Sequence, residues 1–149
     1  MQGSHVKVPS AQCPVPSESS PSRRVSRFED LIAWQKARAL RKQIALITGQ
    51  PAWRADRAMA DQMRRAARSV MANIAEGFDK HQRPEFHRFL GIAQGSVAEL
   101  RSDLYAALDD DLITQHQFDR LTELCREESR ILAGLRSSLR KSIDGSGDA

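Results

Sequence analysis

The block Gln62-Met-Arg-Arg-Ala-Ala-Arg-Ser-Val-Met-Ala-Asn-Ile-Ala-Glu-Gly-Phe78 constrains this chain most. It is followed closely by Glu85-Phe-His-Arg-Phe-Leu-Gly-Ile-Ala-Gln-Gly-Ser-Val-Ala-Glu-Leu100. Apolar residues recur in both at helical spacing, and small or polar residues sit beside them. Two long helices with an unusually close seam are the expected result. Two mid-helix glycines, Gly91 and Gly95, each cost about 1 kcal/mol relative to Ala. A packing reason is therefore expected, with Gly91, Gly95 and Ala98 set against the Ala66, Ala67 and Ala75 side of the preceding helix.

The same periodicity extends over 149 residues, the length of one domain. A first helix is read from a Ser26–Glu29 capping box through Leu31, Trp34, Leu40, Ile44 and Ile47, ending at Gly49-Gln-Pro51. A second runs from about Arg54 to Phe78, with Gly77 as its C-cap. A third follows Pro84 and ends in the turn Asp109-Asp-Asp111. A fourth starts from a Thr114–Gln117 capping box and carries Phe118, Leu121, Cys125, Leu132, Leu135 and Leu139. Short connections between four such segments predict an all-α, antiparallel up-down-up-down four-helix bundle over 26–142. Residues 1–25, rich in Pro and Ser, and residues 143–149 are expected to be disordered tails.

Composition narrows the function classes. Aromatics are only 5% of the chain, so the core is aliphatic. No run of 18 apolar residues predicts a membrane span, and no apolar signal core is read at the start, so a cytoplasmic location is expected. Cys13 and Cys125 sit in unlike contexts and are read as unpaired thiols. No Glu-x-x-His occurs, which removes the di-iron bundle pattern, and no glycine loop for phosphate is present. No metal, cofactor or catalytic residue is assigned, and no enzymatic activity is expected.

Charge is divided unevenly. From Arg23 to Arg68 there are 12 Lys/Arg against 4 Asp/Glu, a net of +8. From Ser69 to Ala149 there are 10 against 14, a net of −4. On a wheel of about 100° per residue, Arg54, Arg57, Asp61, Arg64, Arg65 and Arg68 fall on the outward half of the second helix. Lys36, Arg38, Arg41 and Lys42 of the first helix extend the basic surface. Such a surface suits phosphate contacts, or a solvated face, or ion pairs to another subunit's acidic helix. No aromatic residue interrupts the stripe, so backbone contact rather than base stacking is expected. Asn73, Glu76, Ser96 and Glu99 flank the seam. They are read as a structural polar network rather than a carboxylate pair for catalysis.

Four runs carry a resemblance: Phe28–Ala37, Gln62–Ser69, Asn73–Phe78 and Phe89–Leu100. They resemble the four helix bundle protein family, which includes proteins encoded in intervening sequences of bacterial 23S ribosomal RNA genes. It also includes the accessory variability determinant of diversity-generating retroelements. The resemblance implies a homopentameric ring and a structural role for Trp34, Arg65, Asn73, Glu76, Gly77, Gly95, Ser96 and Glu99. For the retroelement branch it implies binding of RNA or DNA through a basic surface, and work alongside a reverse transcriptase. Gln94 stands where the family often has Arg, and Asp79-Lys80 where it often has Gly-Arg.

Overall fold

A computed structural model of the chain describes residues 24–146. Within them every regular element is helical and no strand occurs. The helices are α1 (Ile32–Thr48), α2 (Arg57–Asp79), α3 (Arg83–Asp109) and α4 (Gln115–Gly145), with 3-10 turns at Phe28–Asp30 and Pro51–Ala55. No helix among the described residues is long and apolar enough to cross a membrane. Of the expected N-terminal tail, residues 1–23 lie outside the described residues, as do 147–149. Helix α4 continues to Gly145, past the expected boundary at 142.

Local signals explain three of the four starts. Thr114 Oγ1 accepts from Gln117 N at 3.1 Å and Gln117 Oε1 accepts from Thr114 N at 3.0 Å, the reciprocal box expected for α4. Pro84 lies in the first turn of α3, where its missing N–H costs nothing. For α2 the cap is Asp56, whose carboxylate accepts from Met59 N at 3.0 Å. That moves the start to Arg57, and Arg54 belongs to the 3-10 turn.

The first start corrects the sequence reading. Ser26 caps nothing; α1 begins at Ile32 after an extended Leu31. The intervening 3-10 turn brings Phe28 edge-on to Trp34, centroids 5.2 Å apart, while Leu31 is buried. Tertiary burial of two apolar groups here overrides a local cap pattern.

The core is aliphatic, as composition requires. Leu40, Ile44, Met63, Val70, Ile74, Leu90, Leu100, Leu104, Leu121 and Leu132 are wholly buried. Trp53 joins them at 2% exposure, carried inward by the second 3-10 turn. Helix α3 packs extensively on both α2 and α4, and α1 packs mainly on α2.

The seam between α2 and α3 follows one line. Gln62 Nε2 donates to Asp103 Oδ1 at 3.0 Å, Ser96 Oγ donates to Ser69 Oγ at 2.9 Å, and Gly77 lies against Phe89. On α3 these positions, 89, 96 and 103, are seven residues apart, the spacing of a coiled-coil-like contact.

That line corrects the glycine expectations. Gly77 is not a C-cap; α2 runs on to Asp79, and the left-handed residue is His81, at φ 55°. A Cβ on Gly77 would lie 2.5 Å from Phe89 Cβ, so α2 and α3 are in close contact at Gly77. Gly95 is exposed and has nothing within 4 Å of a Cβ position, because it lies one residue off the contact line. Ala98 is exposed too. Gly91 faces α4, where a Cβ would meet the Arg136 guanidinium at 3.0 Å. The space it leaves lets Arg136 donate to Gln94 Oε1 at 2.7 Å and to His87 O at 3.3 Å. Replacing Gly95 by Ala is expected to raise stability by up to about 1 kcal/mol through helix propensity alone. A denaturant melt showing a loss instead would contradict this open placement.

Candidate nucleic-acid interface

Helices α1 and α2 lie side by side and leave a cleft along their outer surface. Its walls are Arg41 and Ala45 from α1, and Asp61, Arg64, Arg65 and Arg68 from α2, around a volume of about 430 Å³. A smaller groove of about 230 Å³ continues from it past Thr48, Gln50, Trp53, Arg54 and Arg57, sharing Asp61 and Arg64. Six arginines and one aspartate therefore border a continuous depression.

The register of α2 explains this arrangement. Met63, Ala66, Ala67 and Val70 face the core, so Asp61, Arg64, Arg65 and Arg68 are left on the exposed arc. Arg41 lies opposite them because Leu40 and Ile44 hold the inward positions of α1. Arg64 also ties α2 to α1, since its Nε donates to Thr48 Oγ1 at 2.8 Å and its Nη2 to Ala45 O at 3.3 Å. None of the six takes part in the ion pairs of the described residues. Those join Arg27 to Glu29 and Asp30, Lys36 to Glu127, Arg88 to Glu85 and Arg130 to Glu123.

The structure thus gathers Arg41, Arg54, Arg57, Arg64, Arg65 and Arg68 from the expected set. Lys36, Arg38 and Lys42 line neither groove. Lys36 Nζ turns to Glu127 Oε1 of α4, 3.1 Å away. Arg38 lies over the Trp34 ring, 5.7 Å from its centroid.

The expected polar network is corrected in its membership. Asn73 Nδ2 donates to Ser69 Oγ at 3.0 Å and to Ser69 O at 2.8 Å, and Ser96 completes it. Glu76 and Glu99 are exposed and take no part. The sequence reading passes over Ser69, although it lies one helical turn before Asn73. Glu99 acts at a distance on Asp103: partial burial raises the Asp103 carboxyl, Gln62 opposes this by hydrogen bonding, and the Glu99 charge adds to it.

A second group that the sequence reading passes over lies in the core. Glu128 is 0% exposed, and neither carboxylate oxygen has a hydrogen-bond partner. Burial, and secondarily the charge of Glu127, push its carboxyl up to about 8, while Lys36 pulls the other way. One turn away, burial pushes the Cys125 thiol up to about 12, so it is no thiolate at neutral pH. Among the described residues no three His, Cys, Asp or Glu side chains converge in a metal-binding group.

A family model, the 23S rRNA-intervening sequence protein family, matches residues 29–134. The chain belongs to this family. The match spans both walls of the arginine cleft, the Ser69–Ser96 seam and Glu128. A solved structure with the same fold is a protein of unknown function from the S23 ribosomal protein family of Bacteroides thetaiotaomicron VPI-5482. The two are 21% identical over 71% of this chain and 96% of the other, with a TM-score of 0.66. At that identity the likeness shows the fold alone. No curated protein shows significant similarity to the chain.

Proposed function

We propose that this member of the 23S rRNA-intervening sequence protein family is a non-enzymatic, oligomeric protein. It binds RNA or DNA weakly, through the phosphate backbone and without sequence preference, along the α1/α2 cleft. One observation carries the reading: six arginines border adjoining grooves beside a single carboxylate, and none is spent on an ion pair among the described residues. Guanidinium forks match phosphate oxygens bidentately. No aromatic face is offered for stacking, since Trp53 is 2% exposed.

The absence of a reaction is part of the proposal. The two core groups with chemical potential, Cys125 and Glu128, are sealed from solvent. Cross-helix pairs support an antiparallel up-down-up-down order: 62 with 103, 69 with 96, 43 with 120, and 105 with 118. Assembly with itself is proposed as well, in the five-fold ring that the resemblance implies. On α3, Ile92 and Tyr105 are exposed large apolar side chains that such assembly would cover.

The test is a triple change, Arg57→Ala, Arg65→Ala and Arg68→Ala. Arg64 is left intact because it also ties α1 to α2. The parent should retard RNA and DNA alike at about 50 mM salt and lose most of that affinity by about 200 mM. The triple variant should keep its helical spectrum and its size on a sizing column while losing binding. Undiminished affinity in a folded variant would remove this cleft as the site. Loss of oligomer size would instead favour ion pairing between subunits as the role of the stripe.

A further inference from the structure

The shape of the cleft points to a narrower ligand chemistry than an extended backbone, and the inference rests on the cleft being the anion site. Arg41 stands on α1, while Arg64, Arg65 and Arg68 stand on α2, so cations face one another across a two-walled depression of about 430 Å³. With Asp61 this places a net of three positive charges in the space of one small ligand. An internal phosphodiester contributes one negative charge, and its neighbour along a strand is roughly 3.4 Å further along the axis. A terminal phosphate carries about −1.5 to −2. A chain of linked phosphates concentrates more charge than any equal length of backbone.

The adjoining groove extends the same logic. Arg54 and Arg57 continue the positive lining, and Trp53 forms part of its wall. Trp53 itself is 2% exposed, so the groove's reachable polar groups are the guanidinium groups. The lining offers no exposed ring and no base-reading pattern, so a base attached to the anion would go largely unread.

We propose that the α1/α2 cleft is a site for a compact polyphosphate group, either the triphosphate of a free nucleotide or the 5′-triphosphate end of an RNA. Opposed guanidinium groups grip the linked phosphates from both helices, and the base or the remaining strand lies outside.

The experiment is calorimetric titration of the full chain with tripolyphosphate, ATP and inorganic phosphate. Alongside it, one short RNA is compared in its 5′-triphosphate and 5′-hydroxyl forms. Tripolyphosphate should bind roughly tenfold or more tightly than inorganic phosphate, as multiple charge-assisted bonds replace one. Arg41→Gln should weaken it by a similar factor, with the helical spectrum intact. Lys42→Gln, on an exposed position lining neither groove, should not. Binding of ATP as tight as that of the 5′-triphosphate RNA assigns the site to free nucleotides. Tighter binding of the 5′-triphosphate RNA than of ATP, with the 5′-hydroxyl form weaker, assigns it to RNA ends. If both RNA forms bind equally and tripolyphosphate displaces neither, the polyphosphate site is overturned while backbone binding stands. If no RNA form and no polyphosphate binds, both readings fall.

Discussion

Glu128→Gln is expected to stabilise the fold in neutral and alkaline solution and to leave it little changed in acid. The carboxyl is held up to about 8 in the folded chain, against an ordinary value of 4.5. In the unfolded chain it ionises above that ordinary value, while the folded chain keeps the proton. Below both values the group costs nothing through ionisation. The cost grows as pH rises from about 4.5 to about 8, then stays constant. At about 1.4 kcal/mol per pH unit, this amounts to on the order of 3 kcal/mol near neutrality. Urea melts of parent and variant at about pH 5 and pH 8.5 check it. The two should nearly coincide at the lower pH and differ by a few kcal/mol at the higher. Equal parent stability at both, or a less stable variant at the higher, would show that Glu128 has a partner or lies in water. Gln keeps the shape of the side chain but has no proton to hold, so the pH-dependent cost disappears.

Gly77→Leu has the largest expected effect in the other direction. A Cβ at this position already lies 2.5 Å from Phe89 Cβ and 3.2 Å from Phe86 Cδ1. Neither contact is the end of a flexible side chain, so α3 itself has to move. Phe86 also packs edge-on to Phe78, centroids 5.7 Å apart, and that pair would be displaced. The expected loss is about 3 kcal/mol, at the upper end of overpacking. A thermal melt checks it against Gly95→Ala, which meets nothing and should not lose stability. A Gly77→Leu protein as stable as its parent would mean that the two helices are not in close contact here.

Local signals are legible in the sequence where only local bonds decide the outcome. The Thr114 box closes between residues three apart and needs no partner from elsewhere. Ser26 carries the same pattern but fails, because burying Leu31 and stacking Phe28 on Trp34 requires a break before Ile32. The glycines show a second limit. The sequence marks Gly91 and Gly95 as candidates for close contact and Gly77 as a cap. Which one meets a helix depends on the rotation of α3, and that is set by the line through Phe89, Ser96 and Asp103.

Glu128 is legible too, though its charge hides it. It falls in the buried register Phe118, Leu121, Cys125 and Leu132, which a wheel places inside whatever its charge. The arginine surface is half legible. The wheel sets the α2 arginines outward but does not say which α1 cation lies across from them. Arg41 does, while Lys36 is drawn to Glu127 on the far side of α1.

The central claim is that the α1/α2 arginines contact phosphates, and the salt dependence of binding tests it most directly. Affinity for one short RNA should be measured over a range of salt for the parent and for Arg65→Ala with Arg68→Ala. Each phosphate contact contributes about 0.7 to the slope of log affinity against log salt for a single strand. The account predicts a slope shallower by roughly one to one and a half units in the double variant, with weaker binding throughout. An unchanged slope in a folded double variant would contradict it.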